Sequence, residues 1–488
     1  MISLQLQDVP FEQDVRELFM AFFPGQSFSH VPEQDAMISC IMTAEAEAGN
    51  EETGRLGTYH ATLLTDRGER LSFESPWFSE RIAGKNELKR ALYRTLSALT
   101  GKELPWGTLT GIRPAKLALN LLQRGKTAEE IRAEFKRDFF LSDARNALCV
   151  RTAENELRAI RGLDFTTGYS LYIGIPFCPT TCLYCSFPSY PAGKNKAAPY
   201  LAALREELRL TAEMMAGRRL DAVYVGGGTP TSLMAEELRA LLLFVRETFD
   251  FSACREFTVE AGRPDSITRE KLLALREAGV DRISINPQTL KQATLDLIGR
   301  FHTVEQFTES FALARELGFD NINTDLIMGL PNETEADVRR TMEGIRALSP
   351  DDVTIHSLAL KRAARLNTKR EDYRDVRCGD ANQMVELAAS YCEEMGLSPY
   401  YLYRQKNMAG NLENVGWCRP GKEGLYNILI MEELETIVGC GAGTTTRVMR
   451  GVGQYDRLEN VKDPALYVER LPELLAKKQR ALAGDVLG

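Results

Sequence analysis

From Tyr169 to about Ile355 the chain alternates short apolar runs with amphipathic stretches of helical length, a rhythm that restricts it to a parallel α/β sheet. The predicted strands are 170–175, 222–225, 256–260, 282–285, 321–325 and 353–355. Between them 198–216, 236–248, 269–278 and 304–317 read as helices, the last with Phe307, Phe311, Ala314 and Leu317 on one face. Six such units make an incomplete (βα)6 barrel within an α/β fold. In sheets of this kind chemistry gathers at the carboxyl ends of the strands.

The loop after the first predicted strand carries the sharpest chemical signal. Ile175-Pro-Phe-Cys-Pro-Thr-Thr-Cys-Leu-Tyr184, followed by Cys185, sets Cys178, Cys182 and Cys185 at the spacing C-x3-C-x2-C. Three thiols on one tight loop can hold three irons of a cubane cluster, whose full ligation takes four. The remaining iron is open to a substrate or reactive ligand, as in catalytic zinc sites. The competing reading is a zinc knot or three buried thiols. Zinc sites pair C-x2-C with a second such pair or two histidines, and none of the four histidines lies near this loop. Disulfides are opposed by a density of 10 cysteines in 488 residues, far below that of a secreted scaffold. The other cysteines are scattered, and Cys392 falls on the apolar stripe Met384, Leu387, Ala388, Tyr391, Met395, where it reads as core.

An apolar content of 44% can fill two or three domain cores. A formal charge of −8 and a pI near 5.5 give no general attraction to nucleic acid. The first residues show no basic region followed by an apolar run, and no stretch approaches 18 apolar residues, so the expected address is the cytoplasm, with no membrane span. Residues 1–165 read as a separate α/β domain of unknown role, with a strand-like run at His60 and a helix over 86–99; 166–365 hold the barrel.

Several residues fall at predicted strand ends. Gly226-Gly-Gly-Thr-Pro230 follows the second strand, and its lack of side chains lets backbone groups approach a ligand; a tight turn explains it too. Glu260 and Asp325 end their strands and Gln288 follows another, placing carboxylates where ribose hydroxyls or an amine can be bound, while Arg300 can clamp a carboxylate. Singly, each is more often a helix cap or a surface ion pair; together on one barrel rim they read better as a ligand-binding ring.

The cysteine loop, with Tyr184 before its third thiol, resembles the signature of radical S-adenosylmethionine enzymes. The fuller string Tyr172-x-x-Ile-Pro-Phe-Cys, the glycine loop, Arg-x-Ser-x-x-x-Gln ending at Gln288, and Asp325-Leu-Ile-x-Gly-Leu-Pro-x-x-Thr resembles the oxygen-independent coproporphyrinogen III oxidase (dehydrogenase) family, and its HemZ-type branch in particular. The resemblance spans about residues 168–450. It implies that Cys178, Cys182 and Cys185 ligate a [4Fe-4S] cluster whose fourth iron binds S-adenosyl-L-methionine. It implies catalytic roles for Tyr172 and Arg300, with Tyr172 beside the cofactor, Tyr184 near adenine, Gly227 and Gly228 at the methionine amine, and Glu260, Gln288, Arg300 and Asp325 on its polar groups or ribose. It further implies a tetrapyrrole substrate, an electron donor such as flavodoxin or ferredoxin, and a substrate-covering region over 366–488. Lys361, Arg362, Arg365 and Arg404 are then candidates for holding substrate propionates, with a solvated basic face as the alternative. Val438-Gly-Cys-Gly-Ala-Gly443 resembles a glycine-rich segment of that covering region, and Tyr400, Tyr401, Tyr403 and Trp417 read as core or as an aromatic wall.

Departures from the family pattern bear on activity. Gly174 stands where most of the family has histidine, and Phe187 where the oxidase class has a fourth cysteine. Leu425-Tyr-Asn427 replaces the His-Asn of the haem chaperones, leaving His302 and His356 as the barrel's possible axial ligands. The expected function is radical oxidative decarboxylation of coproporphyrinogen III to protoporphyrinogen IX; the alternatives are a haem-trafficking protein, or a tetrapyrrole methyltransferase or haem-degrading enzyme.

Overall fold

The computed structural model describes residues 1–33, 35–50, 54–111, 113–185, 187, 189–191, 197–358, 381–404, 412–451 and 453–484. Two compact units emerge, one built from Met1–Arg151 and the other from the remaining described chain.

In the first unit five strands pair in the order β2-β1-β3-β4-β5: β1 (Ile2–Gln7), β2 (Phe28–Ser29), β3 (Ile38–Asn50), β4 (Arg55–Thr65) and β5 (Arg70–Phe78). Alternate residues of this sheet, among them Ile2, Leu4, Cys40, Met42, Tyr59 and Leu63, share a core with Leu18, Phe19 and Phe22 of helix Glu12–Phe22 and with Leu88, Leu92 and Leu96 of helix Arg81–Thr100. Each such large side chain contributes about 1.5–3 kcal/mol on burial.

The second unit is organised on one eleven-stranded sheet. Its strands are β6 (Gly168–Ile175), β9 (Arg219–Gly227), β10 (Glu256–Gly262), β11 (Arg282–Ile285), β12 (Ile322–Met328), β13 (Asp352–Ser357), β14 (Ser398–Arg404), β15 (Glu413–Cys418), β16 (Thr436–Cys440), β17 (Thr445–Gly451) and β18 (Gln454–Glu459); two-residue strands β7 (Phe177–Cys178) and β8 (Tyr190–Pro191) pair separately. β6 and β9 to β13 pair in parallel in chain order, so all six predicted strands form and neighbour one another as expected. The sheet stays open. It continues past β13 through antiparallel β15 and β14, and past β6 through parallel β16 and antiparallel β17 and β18.

Side-chain alternation divides the sheet into two faces. Leu171, Ile173, Val223, Val225, Val259, Ile283 and Ile285 are buried on the helix-covered side. The other face is polar, carrying Tyr172, Tyr224, Glu260, Ser284, Asn323, Asp325, Thr354 and His356. Its amino end is sealed. Arg282 Nη2 donates to Asp352 Oδ2 at 2.6 Å, and Tyr400 OH donates to the same oxygen at 2.7 Å. Helix Leu425–Glu432 starts there because Glu256 Oε2, at the beginning of β10, accepts the Leu425 N–H. This seats the ring of Tyr426 against Tyr224 at 4.6 Å and Tyr172 at 6.0 Å, so three tyrosines stack below the open end. Tyr400, Tyr401 and Trp417 are buried strand residues, which makes them core. Cys392 is buried, as its helical stripe requires.

The glycine-rich segment ending at Gly443 forms strand β16 and the turn after it. A Cβ on Gly174 would lie 2.5 Å from Thr444 Cγ2, and one on Gly441 (φ +104°) would lie 2.6 Å from the Gly174 carbonyl. Two chain segments meet here at backbone distance, and glycine on both sides permits it. Below this contact a buried cluster ties helix Leu471–Ala483 to helix Ala197–Met214. Glu207 accepts from Lys478 Nζ (2.5 Å), Asn460 Nδ2 (2.9 Å), Tyr467 OH (2.6 Å) and the Gly441 N–H (2.7 Å). Lys478 also meets the Gly439 carbonyl at 2.8 Å and Cys440 Sγ at 3.6 Å.

Candidate functional site

β6 ends at Ile175, and the cysteine loop crosses the carboxyl end of the sheet. Backbone and side-chain bonds pin it: Leu183 N donates to the Ile298 carbonyl at 3.0 Å, Thr180 Oγ1 to the Gly299 carbonyl at 3.1 Å, and Cys185 N to the Cys182 carbonyl at 3.2 Å. Cys178 Sγ lies 3.5 Å from Thr229 Oγ1. Arg263 Nη1 reaches Cys182 Sγ at 3.8 Å and Thr180 Oγ1 at 2.6 Å, while Asp265 grips the other side of the guanidinium at 2.9 and 2.7 Å. Burial pushes the Cys178 thiol up and the neighbouring thiols add to it, while the contact with Thr229 and the charge of Arg263 act the other way. Among the described residues no three His, Cys, Asp or Glu side chains converge as ligands of a single ion must. Cys178, Cys182 and Cys185 form no disulfide and stand on one loop, the donor set a cubane with one open iron takes. Arg263 and Thr229 supply it with hydrogen-bond donors, a means of tuning cluster potential.

The glycine loop braces this site. Gly228 N donates to the Ile175 carbonyl and Thr229 N to the Phe177 carbonyl, both at 2.7 Å. A Cβ on Gly228 would lie 2.5 Å from the Phe177 oxygen, and one on Gly226 would lie 2.9 Å from Glu260 Cδ. Gly227, at φ +111°, sits where side chains are strained. The loop therefore lies against backbone on one side and against Glu260 on the other.

Glu260 Oε1 accepts the Tyr224 hydroxyl at 2.6 Å. Burial raises its carboxyl pKa to about 7, although the tyrosine hydrogen bond opposes the shift. Across the same face Asp325 accepts from Asn286 Nδ2 and Asn323 Nδ2, each at 2.8 Å, and its Oδ2 lies 3.8 Å from His356 Nε2. Burial disfavours this carboxylate's charge, but hydrogen bonding and the charge of His356 outweigh it and hold the pKa below the ordinary value. Gln288 takes a left-handed conformation, φ +69°, secured by its N–H to the Asp325 carbonyl at 3.1 Å and by the Ile327 N–H to its own carbonyl at 3.0 Å.

Arg300 is buried and directs Nε to the Tyr184 hydroxyl at 3.2 Å and Nη1 to the Asn286 carbonyl. In this structure the guanidinium joins the cysteine loop to the end of β11. Tyr184 packs on the cluster formed by Leu295, Ile298, Ile327, Leu330 and Leu358. Arg404 ends β14 buried, paired in register with Glu413. Lys361, Arg362 and Arg365 lie outside the described residues. Phe187 is exposed.

The sequence reading missed Arg263, Thr229, Asn286 and Asn323. Arg263 had a signal, standing three residues after Glu260 beyond a predicted strand end. Asn286 serves Asp325 through a tertiary contact that no local pattern announces, whereas Asn323, two residues before it on β12, shares its face by strand alternation.

Comparison with known proteins agrees with this geometry. Residues 172–345 match the radical SAM superfamily. The chain is 41% identical, over 85% of its length and 85% of the relative's, to the oxygen-independent coproporphyrinogen-III oxidase-like protein HemZ of Bacillus subtilis. It is 32% identical to the haem chaperone HemW of the same organism, over 56% of this chain and 69% of that one. The oxygen-independent coproporphyrinogen III oxidase of Escherichia coli is 34% identical over 39% of this chain and 42% of that protein. The solved structure of that organism's radical SAM coproporphyrinogen III oxidase, HemN, shares the fold, with a TM-score of 0.53 at 24% identity over 65% of this chain and 72% of that one. No described helix is long and apolar enough to cross a membrane. The cofactors of the superfamily are S-adenosylmethionine and a [4Fe-4S] cluster, and the three-cysteine loop over the open end of a parallel sheet is the arrangement they require. With identity running through most of both chains, the protein belongs to the radical SAM superfamily, among the HemZ-type oxygen-independent coproporphyrinogen-III oxidase-like proteins.

Proposed function

We propose that this chain catalyses oxygen-independent oxidative decarboxylation of coproporphyrinogen III to protoporphyrinogen IX. The observation that carries the reading is the convergence, at one end of one sheet, of the three-thiol loop and the polar ring of Glu260, Asp325 and His356. When bound and reduced, the cluster and S-adenosylmethionine would supply a 5'-deoxyadenosyl radical able to take hydrogen from the propionate carbon next to the pyrrole, the carboxylate then leaving as carbon dioxide and the remaining electron passing to an external one-electron acceptor to give a vinyl group and 5'-deoxyadenosine.

In this reading Cys178, Cys182 and Cys185 hold three irons. Arg263 and Thr229 direct hydrogen bonds at the sulfurs of Cys182 and Cys178. Glu260, Gln288 and Asp325 bind the polar groups of S-adenosylmethionine, Arg300 fixes the cysteine loop beside them, and Tyr172, within the tyrosine stack, forms the floor. That floor and the Arg282–Asp352 pair exclude water from below, which protects a radical from quenching. Substrate propionates require cations from the rim, and Lys361, Arg362 and Arg365 occupy the right stretch of sequence.

The test is an anaerobic assay of cluster-reconstituted protein with S-adenosylmethionine, reductant and coproporphyrinogen III, following tetrapyrrole mass and 5'-deoxyadenosine together. Substrate-dependent deoxyadenosine with stepwise loss of two carboxyl groups is expected, and Cys182→Ala should abolish both. Cofactor cleavage without decarboxylation would reject the substrate. A second reading, haem delivery, is favoured by the likeness to HemW. Against it, His302 is wholly buried and Tyr426 is committed to the floor. Stoichiometric haem uptake and transfer without product would favour delivery.

A further inference from the structure

One residue past the end of β10, Arg263 turns its side chain to the cysteine loop, and only 3% of it remains accessible. Burying a guanidinium is costly unless its charge and its N–H groups are met. Asp265 takes one edge of the fork with two bonds, 2.9 Å from Nε and 2.7 Å from Nη2. The remaining nitrogen is given to the loop. Nη1 donates to Thr180 Oγ1 at 2.6 Å and to the Thr180 carbonyl at 3.3 Å, and it lies 3.8 Å from Cys182 Sγ. The backbone is fixed on both sides of the residue: the Gly262 carbonyl accepts Asn286 N at 2.8 Å, and the Arg263 carbonyl accepts Ser266 N at 3.0 Å and Ser266 Oγ at 2.7 Å. The fold itself aims this guanidinium.

The thiols of the loop are not treated alike. Cys178 Sγ faces the neutral hydroxyl of Thr229 at 3.5 Å, whereas Cys182 Sγ faces a full positive charge. Asp265 holds the opposite edge of the guanidinium, so the pair presents its positive end to the sulfur. Reducing a [4Fe-4S] cluster adds one negative charge. A cation beside a ligand sulfur favours the reduced form over the oxidised one, and the low dielectric around a buried pair strengthens the effect.

We propose that the Arg263–Asp265 pair sets the reduction potential of the cluster, its positive end raising the potential through Cys182 and its negative end limiting the rise. The inference rests on the reading that Cys182 is a cluster ligand and is independent of which substrate the enzyme takes. Two opposite charges in one pair give predictions of opposite sign. Arg263→Met removes the cation. Asp265→Asn keeps the cation, whose N–H groups the amide oxygen still accepts, and removes the charge that offsets it. A pair that only pinned the loop would loosen it in both variants and move the potential the same way.

The experiment is an EPR-monitored redox titration of the cluster in reconstituted full-length protein without S-adenosylmethionine, comparing wild type, Arg263→Met, Arg263→Lys and Asp265→Asn, with iron content measured on every sample. The expected result is that Arg263→Met disfavours the reduced cluster about tenfold, a potential lower by about 59 mV for one electron. Asp265→Asn shifts the potential upward by a smaller amount, and Arg263→Lys, which keeps the charge, stays near wild type. Shifts of the same sign in Arg263→Met and Asp265→Asn, or an unchanged potential in Arg263→Met, overturn the inference. If Arg263→Met takes up no cluster, Asp265→Asn decides: an upward shift sustains the inference, and an unchanged or lower potential refutes it. Full four-iron uptake by Cys182→Ala refutes the ligand reading, and the inference falls with it.

Discussion

Two polar clusters in the second unit both centre on carboxylates and end in opposite states. Beneath the glycine contact, Glu207 accepts four hydrogen bonds and Lys478 is engaged on three sides, with neither side chain exposed. At the open end of the sheet, Glu260 and Asp325 are held by neighbours yet remain partly accessible beside His356. A saturated cluster has nothing left to offer a ligand, so its role is to fix helix Leu471–Ala483 and β16 in place. The second cluster stays partly open, with 27% of the His356 side chain and 23% of the Asp325 side chain accessible. Buried charge alone does not mark function; charge with unspent capacity does.

Breaking the first cluster should give the largest loss of stability. Lys478→Met strands a buried carboxylate and should cost about 3–5 kcal/mol, read from denaturant midpoints, with Glu207→Gln in the same chain restoring part of the loss. A clean test of the neighbouring backbone contact comes next. Gly174→Ala drives a methyl into Thr444 Cγ2 and should cost about 1–3 kcal/mol, relieved by adding Thr444→Ser, which removes that methyl and keeps the hydroxyl. If the double variant is no more stable than the single one, the clash is elsewhere.

The second cluster should answer to pH. Glu260 has its folded pKa raised to about 7 from an ordinary value near 4.5, so the folded state holds the proton more tightly than the unfolded chain does. Stability should fall as pH rises from about 4.5 to 7 and level off above it, by on the order of 1–3 kcal/mol given partial solvent access. Glu260→Gln should flatten that slope and be the more stable protein at pH 8; an unchanged slope assigns it to another group. The smallest stability change belongs to Asp325→Asn, within roughly 1 kcal/mol, yet the loss of charge-assisted hydrogen bonds should weaken S-adenosylmethionine binding roughly 10- to 100-fold. A large stability loss with intact binding would place Asp325 with Glu207 among the structural groups.

The parallel core was legible because its strands and helices announce themselves by period: all six strands appear, and helix Val304–Glu316 buries Phe307, Phe311 and Ala314 as its spacing demands. The cysteine loop was legible from spacing alone. What escaped was long-range. Thr436–Cys440 carries no mark that it pairs with β6, and the tyrosine floor depends on Glu256 capping a helix more than 150 residues later in the chain. The Gly441 region resembled a substrate-covering segment or a tight turn, and its close approach to the backbone at Gly174 was not legible in either reading. Arg300 read as a carboxylate clamp, but its Nε and Nη1 are directed to Tyr184 and Asn286.

The pairing of Ser170 with Ile437 has a consequence for how the protein comes into being. During synthesis β6 and the cysteine loop emerge early, but the strand that flanks β6 on its outer side, and the lysine that secures that strand, arrive only with the last part of the chain. Contacts of such sequence separation slow folding and leave an unpaired edge waiting. Iron delivered to the nascent chain would meet a loop whose supporting strand is still half unpaired, so cluster insertion should follow synthesis of Thr436–Cys440 and Lys478.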